Sequence, residues 1–233
     1  MNPRVVFALV RHGVYEQPAD TPSAHLPHPL TAAGERQAQA AGAALRELAE
    51  REGLAIAPTV DASVLLRAWQ TAQAIAAALG EPGRPRAVEE FAALTERSVG
   101  SAANLTLGQI EAVLARDPRF EVPAPGWKGR SAYKLPLPGA ESLIEAGERV
   151  ARHVRTSLDE LAARVSRDTL KVFVGHGGSL RHGAVALGLL SLETVEGLSM
   201  HHCHPVIFSR DASGRLDHVG GEWKIRSKHK ETS

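Results

Sequence analysis

The chain has 233 residues, is 43% hydrophobic and 23% charged, and carries a formal net charge of +1. This composition excludes a disordered chain and predicts a globular protein with a large core. The near-neutral charge gives no basis for general binding to nucleic acid or membrane surfaces, and no run of about twenty apolar residues predicts a membrane span. The single cysteine, Cys203, excludes a disulfide framework. Since the amino terminus also lacks a signal-peptide pattern, we expect a reducing, cytoplasmic setting.

Hydrophobic spacing, helix caps and breakers divide the chain into alternating strands and helices. In chain order, the predicted elements are a strand over 5–10, a helix over 33–52, a strand over 59–62, a helix over 66–79, a strand near 86–88, helices over 106–116 and 142–164, a strand over 170–174, a helix over 179–190, and strands over 205–210 and 215–218. Loops are expected over 14–29, 94–104 and 118–138 because these stretches are proline-rich or aperiodic. The alternation predicts an α/β fold, a three-layer α/β/α sandwich with a mainly parallel central sheet.

Two of the predicted strands end in similar polar sequences. The run 5–10 ends in Arg11-His12-Gly13, and the run 170–174 ends in Gly175-His176-Gly177. Arginine offers a bidentate charged donor, glycine lets the backbone approach a ligand, and histidine can act as a nucleophile or an acid/base. Ligands of parallel sheets bind beyond the carboxyl ends of the strands, so we expect both histidines in one phosphate site. Taken singly, His12 is more typical of a core histidine and Arg11 of a surface cation, and it is the pairing of the two strand ends that favours a functional site.

Three further stretches add a family resemblance. After Ser63, a predicted helix begins with the sequence Arg67-Ala68-Trp69-Gln70-Thr71-Ala72. Glu96 lies in the predicted loop 94–100, and the stretch 137–142 leads into the long helix. Together with the two histidine motifs, they resemble the histidine phosphatase superfamily, in the branch that holds cofactor-dependent phosphoglycerate mutases and the phosphatases like them. The resemblance covers about 5–208.

The resemblance implies a role for each of these residues. His12 attacks phosphorus and becomes a phosphohistidine, with His176 as a second catalytic histidine. Arg11 and Arg67 surround the phosphoryl oxygens together with His176, and Gly177 belongs to the substrate-binding backbone. Glu96 protonates the leaving oxygen and then activates water.

Elementary chemistry supports these roles. Phosphoryl transfer needs an in-line nucleophile and positive charge around the equatorial oxygens. The two arginines favour a neutral, nucleophilic His12 because like charges oppose protonation. Backbone N–H groups at the helix start near Gly177 can add donors for phosphate. Glu96 can give a proton only when something raises its pKa, as an incoming phosphate dianion would.

Several of these residues also have structural explanations. Arg67 is compatible with an exposed helix position, and Glu96 with an ion pair to Arg97. Ser63 can contact phosphate or cap the helix, whereas Glu141-Ser142 is typical of helix capping.

The stretch after Gly13 departs from the mutase pattern. Mutases usually follow the first motif with a glutamate, a serine or threonine, and a tryptophan–asparagine pair, whereas this chain has Val14-Tyr15-Glu16-Gln17. This loss favours hydrolysis, although Glu96-Arg97 resembles the mutases. We therefore expect a phosphomonoesterase of the histidine acid phosphatase type acting on a small-molecule phosphate ester. The alternatives are a phosphoglycerate-mutase-type phosphotransferase and a non-catalytic phosphate-binding module.

The remaining segments have less specific interpretations. We expect one domain over 1–223 with an inserted lid near 94–140, and a polar tail over 224–233 that frays. The aromatic and basic segment 127–134 is expected at the pocket mouth, either to recognise substrate or to form a structural lid with a solvated cationic face.

Four consecutive residues, His201 to His204, include three histidines and Cys203. Their spacing does not match the usual zinc sites. Strand alternation would point His202 and His204 to one side and the other two to the opposite side. We therefore expect no metal and, from the resemblance, no cofactor. The oligomeric state stays open.

Overall fold

The structure, a computed structural model, describes residues 3–226. Its strands are β1 (Val5–Arg11), β2 (Ala55–Ser63), β3 (Ala87–Phe91), β4 (Thr169–Gly175), β5 (Leu198–Ser199), β6 (Val206–Arg210), β7 (Leu216–Gly220) and β8 (Lys224–Ile225). Its helices are α1 (Ala32–Arg51), α2 (Leu66–Leu79), α3 (Leu107–Arg116), α4 (Leu143–Ala162), α5 (Gly177–Ala186) and α6 (Leu192–Val195).

A six-stranded sheet with the order β3-β2-β4-β1-β6-β7 forms the middle layer. The pairs β3–β2, β2–β4 and β4–β1 are parallel, and β6 runs antiparallel to both of its neighbours. Successive residues of β1 face opposite sides, so that Val6, Ala8 and Val10 join the core with α1 and α2, while the residues between them join the core with α4 and α5. The predicted three-layer α/β/α sandwich with a mainly parallel sheet is therefore confirmed.

The register of the two central strands positions the site. Arg11 pairs with Gly175, and the N–H of His12 donates to the Gly175 carbonyl at 3.0 Å. The carboxyl ends of β1 and β4 are thus adjacent, and both histidine motifs leave the sheet at the same point. Parallel pairing in this register follows from two apolar runs that are buried on both faces.

Side-chain caps fix the helix starts that the sequence predicts. Thr31 accepts from the N–H of Gly34 at the start of α1. Ser142 and Glu145 form a capping box at the start of α4, as do Thr106 and Gln109 at the start of α3. Ser142 is therefore a cap, as expected.

Some elements differ from the prediction. β2 begins at Ala55, before the predicted strand, and its pairing with β4 shifts in register between Ile56 and Val60, the stretch that contains Pro58. The helix predicted over 179–190 lies at 177–186, and Gly188 follows it with a φ of +80°, a conformation that ends a helix. Short 3₁₀ turns occur at 92–94, 100–102 and 127–129, where only loop was predicted.

The start of the predicted tail forms a short strand. Ile225 pairs with Leu198 and Lys224 with Ser199, and both tail side chains are exposed. The rest of the predicted tail, 227–233, lies outside the described residues. Over residues 3–226, no helix is long and apolar enough to cross a membrane.

A third apolar cluster lies apart from the two cores that flank the sheet. It contains Ala24 and residues of the predicted lid region, including Val99, Ile110, Leu114 and Trp127. Most of the segment 94–140 thus packs around its own small core, called the lid cluster below. Ala24 connects the loop after β1 to this cluster.

Candidate active site

His12 lies at the carboxyl end of β1 and is only 2% exposed. Its Nδ1 lies 2.8 Å from the carbonyl oxygen of Gly13, and its Nε2 lies 3.2 Å from Nε of Arg67. A guanidinium only donates, so Nε2 accepts from Arg67 and Nδ1 carries the proton given to Gly13. The imidazole is therefore neutral, with its lone pair on Nε2.

Arg67, in the first turn of α2, is fully buried, which rules out an exposed helix position. One of its terminal nitrogens lies 3.2 Å from Nδ1 of His176. The same nitrogen lies 2.6 Å from the carbonyl oxygen of Ser23 and 3.2 Å from that of Ala24, and the other terminal nitrogen donates to the carbonyl of Leu26 at 2.8 Å. Arg67 thus joins both histidines and holds the preceding loop over them.

His176 follows β4 and is fully buried. Its ring centroid lies 5.0 Å from that of His12, so the two histidine motifs meet as predicted. Its Nε2 lies 2.9 Å from the hydroxyl of Ser63, whose oxygen also accepts from the N–H of Leu65. Ser63 therefore orients His176, a contact that the sequence did not indicate, and Leu65 rather than Ser63 occupies the cap position of α2.

Arg11 approaches the site beside the start of α5. One terminal nitrogen donates to the carbonyl of Met200 at 2.9 Å, while its buried Nε has no partner among residues 3–226. A Cβ on Gly177 would lie 3.2 Å from Cδ of Arg11 and 3.4 Å from Nε. Glycine at this position therefore leaves room for the Arg11 side chain. The direct contact of Gly177 with substrate stays a prediction.

Glu96 bonds to the backbone at the start of α5. Its carboxylate accepts from the N–H of Gly178 at 3.0 Å and of Ser179 at 2.9 Å, and from its neighbour Arg97 at 2.9 Å. Residues 3–226 contain no side-chain ion pair between Glu96 and Arg97. The N–H groups expected to cradle phosphate therefore hold the proposed acid/base instead, because a carboxylate is favoured at a helix N-terminus.

Burial and the arginines set the charge states of these groups. Burial and the Arg67 and Arg11 charges lower the pKa of His12 well below its usual value, and burial and Arg67 do the same for His176. Burial acts to raise the pKa of Glu96, but the backbone N–H bonds and the nearby arginines outweigh it, and the net shift is downward. The site thus holds two neutral imidazoles, two cations and one carboxylate at neutral pH.

The segment 127–134 divides between the lid and the surroundings of the site. Trp127 is buried in the lid cluster, donates from Nε1 to Glu111 at 3.1 Å and contacts the ring of Tyr133. Lys134 forms an ion pair with Glu145. The aromatic residues therefore belong to the lid core, whereas burial lowers the pKa of Lys128 and the charge of Glu96 acts to raise it. Recognition of substrate by the basic residues of this segment stays a prediction.

The residues at 201–204 do not follow strand alternation, so that expectation is wrong. The segment is a turn, and Cys203 has a φ of +55°. His201 and His204 contact each other at the surface, with ring centroids 5.2 Å apart, whereas the half-buried His202 lies 5.6 Å from the His12 ring. Within residues 3–226, no three histidine, cysteine or acidic side chains form a group that could hold a metal ion.

The sequence is similar to that of a characterised enzyme class. The model of the histidine phosphatase superfamily (branch 1) matches residues 7–218. A 2,3-bisphosphoglycerate-dependent phosphoglycerate mutase from Methylobacterium sp. (strain 4-46) is 31% identical over 188 residues, which cover 81% of this chain and 82% of the mutase.

Solved structures with the same fold include phosphatases. Mycobacterial hydrolase 1 has a TM-score of 0.65 and 26% identity, and the match covers 97% of this chain and 99% of that chain. A mycobacterial glucosyl-3-phosphoglycerate phosphatase, solved with VO3, has a TM-score of 0.63 and 24% identity, with coverage of 97% and 100%. At this identity, the second match shows the fold alone.

Proposed function

Because the chain belongs to the histidine phosphatase superfamily, we propose that it hydrolyses a small-molecule phosphate monoester through a phosphohistidine on His12. One observation carries the proposal. The lone pair of a neutral His12 lies on Nε2, 3.2 Å from Nε of Arg67, and a terminal nitrogen of the same guanidinium lies 3.2 Å from His176. A phosphoryl group that takes over the Arg67 donors would meet a neutral nucleophile with positive charge beside its equatorial oxygens, which is what attack on phosphorus requires.

The reaction has two steps. In the first, Nε2 of His12 bonds to phosphorus, the ester P–O bond breaks, and the leaving oxygen takes a proton from Glu96. In the second, Glu96 takes a proton from water, the water oxygen bonds to phosphorus, and the P–N bond breaks with its electron pair returning to Nε2. Orthophosphate and neutral His12 result, so that protons and charge balance over the cycle.

Glu96 must change its protonation state between these steps. In the ligand-free site, its lowered pKa makes it a carboxylate, the form that activates water. A phosphate dianion beside it raises its pKa by repulsion and so favours the protonated form that the first step needs. We propose that substrate charge itself prepares the general acid.

Hydrolysis is favoured over mutase chemistry by the loop after β1. The sequence Val14-Tyr15-Glu16-Gln17 replaces the mutase pattern, and the carbonyls at 23–26 of the same loop are bonded to Arg67. Two observations favour the mutase alternative. A bisphosphoglycerate-dependent mutase is 31% identical to this chain over 188 residues, and Glu96-Arg97 resembles the glutamate–arginine pair of the mutases.

The test uses two substrates and one variant. Purified protein is assayed with p-nitrophenyl phosphate and, separately, with 3-phosphoglycerate in the presence and absence of 2,3-bisphosphoglycerate. The proposal expects phosphate release that His12→Ala abolishes. It also expects a phosphohistidine on His12 when the reaction with a substrate labelled in its phosphoryl group is stopped without acid. Bisphosphate-dependent isomerisation without net phosphate release would establish the mutase instead. A protein that binds phosphate but turns over none of a broad panel of phosphate esters would be a non-catalytic phosphate-binding module.

The same assays test Glu96. General acid/base catalysis contributes about 10²–10⁴-fold, so Glu96→Gln is expected to reduce turnover of an alkyl phosphate by that range. The loss should be smaller for p-nitrophenyl phosphate, whose leaving group needs no proton. Equal losses for both substrates would contradict the role of general acid.

A further inference from the structure

Tyr15 lies beside the nucleophile in the stretch that departs from the mutase pattern. The residue is 5% exposed, and its hydroxyl is buried without a hydrogen-bond partner among residues 3–226. Buried hydroxyls in folded proteins nearly always have partners, because an unpaired one loses its bonds to water without replacement. The orphaned hydroxyl therefore requires an explanation.

The contacts of the Tyr15 ring place it against the centre of the site. The ring meets that of His12 edge to face, with centroids 5.2 Å apart and an angle of 87° between the planes. The guanidinium carbon of Arg67 lies over the Tyr15 ring, 4.5 Å from the ring centroid. Leu26 and Leu30 pack with Tyr15 in a small apolar cluster, which fixes the ring in this orientation.

The Tyr15 ring also lies against a cation of the site, because the Arg67 guanidinium sits over its face. Burial lowers the pKa of both Arg11 and Arg67, and Tyr15 acts on both in the opposite direction. Arg11 itself has a buried Nε without a partner among the described residues. Two buried polar groups without partners among the described residues thus flank His12 in the sequence, at Arg11 and Tyr15.

We propose that the Tyr15 hydroxyl donates a hydrogen bond to an equatorial oxygen of the phosphoryl group that is transferred to His12. Because the ring lies beside the nucleophile, the inferred partner is an equatorial oxygen and not the leaving oxygen, which lies opposite His12 in an in-line transfer. An oxyanion ligand would satisfy both the hydroxyl and Nε of Arg11 at once. The inference rests on the proposed function for the identity of the phosphoryl group, and it assigns Tyr15 as a substrate-contacting residue.

The substitution Tyr15→Phe removes the hydroxyl alone and keeps the ring contacts. We expect the affinity for orthophosphate, measured by calorimetry, and kcat/KM for p-nitrophenyl phosphate to fall by about 10- to 100-fold, the range for a hydrogen bond to a charged group. The urea midpoint of unfolding should stay the same or rise, because the variant lacks an unpaired buried hydroxyl. A purely structural role for Tyr15 would lower the midpoint and leave the affinity unchanged.

Tyr133→Phe is the matched control, since Tyr133 is the second of two tyrosines and lies in the lid cluster. This variant should bind orthophosphate as the wild type does. Tyr15→Phe with affinity and kcat/KM within twofold of wild type, or with a lowered midpoint, would overturn the inference.

The outcome is separable from that of the proposed function. Calorimetry with orthophosphate needs no turnover, so weaker binding by Tyr15→Phe supports the inference even in a protein that hydrolyses nothing. Conversely, loss of turnover in His12→Ala together with wild-type behaviour of Tyr15→Phe would keep the hydrolase and reject the role of Tyr15.

Discussion

Nε of Arg67 lies 3.2 Å from Nε2 of His12, although 55 positions separate the two residues in the chain. Because arginine only donates, this contact defines which nitrogen of His12 holds the lone pair. The proton on the other nitrogen is fixed by the carbonyl of Gly13 at 2.8 Å. One arginine therefore fixes the tautomer of His12 in the ligand-free site and, together with burial, lowers the pKa of its imidazole.

His12 and His176 should be neutral at pH 6 in opposite tautomers. Burial and the arginines lower the pKa of both rings well below 6.5. His12 should carry its proton on Nδ1, whereas His176, which accepts from Arg67 through Nδ1 and contacts Ser63 through Nε2, should carry it on Nε2. Imidazole 15N NMR, with assignments from His12→Gln and His176→Gln, measures both. Titration of either ring near pH 6.5, or a shared tautomer, would contradict the geometry.

Arg67→Lys should impair both catalysis and loop order. A lysine keeps the charge but cannot reach two histidines and three loop carbonyls with one ammonium. We expect kcat/KM to fall by about 10²–10³-fold, as on removal of a donor to a transition-state oxyanion, and amide hydrogens of 19–26 to exchange faster. Arg46→Lys is the control, because Arg46 donates to carbonyls at the far end of α2. Unchanged exchange at 19–26 would show that Arg67 does not hold the loop.

The sequence was sufficient for the parts of the site that lie on buried parallel strands. Two apolar runs that end in Arg11-His12-Gly13 and Gly175-His176-Gly177 predict adjacent strand ends, and the register of β1 and β4 confirms it. Arg67 was found through the family pattern around it. These predictions succeed because strand ends in a parallel sheet share one edge, whatever the connecting segments do.

The contacts made by loops and turns escaped prediction. The partners of Glu96 are backbone N–H groups at 178 and 179, and backbone donors carry no sequence signal. His202 lies near His12 in a turn where Cys203 has a positive φ, so the segment lacks the alternation that a strand would impose. Tyr15 was visible as a departure from the mutase pattern, but only the structure reveals that its hydroxyl has no partner among the described residues.

Gly178→Ala should displace the Glu96 carboxylate. A Cβ at this position would lie 2.6 Å from one carboxylate oxygen and 3.1 Å from the other, so the flexible side chain must move. We expect turnover of an alkyl phosphate to fall by about 10- to 100-fold, a part of the general acid/base contribution, while circular dichroism stays that of the wild type. Gly108→Ala in α3 is the matched control because its Cβ meets open space. It should keep full activity and gain up to about 1 kcal/mol of stability from helix propensity.

His182 should make the free energy of unfolding depend on pH below neutrality. The ring lies in α5, where Nδ1 contacts the Gly178 carbonyl and Nε2 the Ser131 hydroxyl, and burial lowers its pKa from 6.5 to about 4. Between these values the unfolded chain binds a proton that the folded protein does not. Stability is therefore complete above pH 6.5 and falls as the pH drops, by about 1.4 kcal/mol per pH unit and about 3 kcal/mol in total from this residue.

Urea unfolding at intervals from pH 7 to pH 4 measures this dependence. His12 and His176 act in the same direction, since their pKa values are also lowered, so the wild-type slope should exceed the contribution of one proton. His182→Gln has no titrating group at this position and should be less stable at pH 7 but show a shallower slope, by up to about 1.4 kcal/mol per pH unit. Because both proteins lose stability at acid pH through the other histidines, the difference between their slopes isolates His182. Parallel curves would mean that His182 binds its proton equally well in the folded and unfolded chains, which its burial between Gly178 and Ser131 opposes.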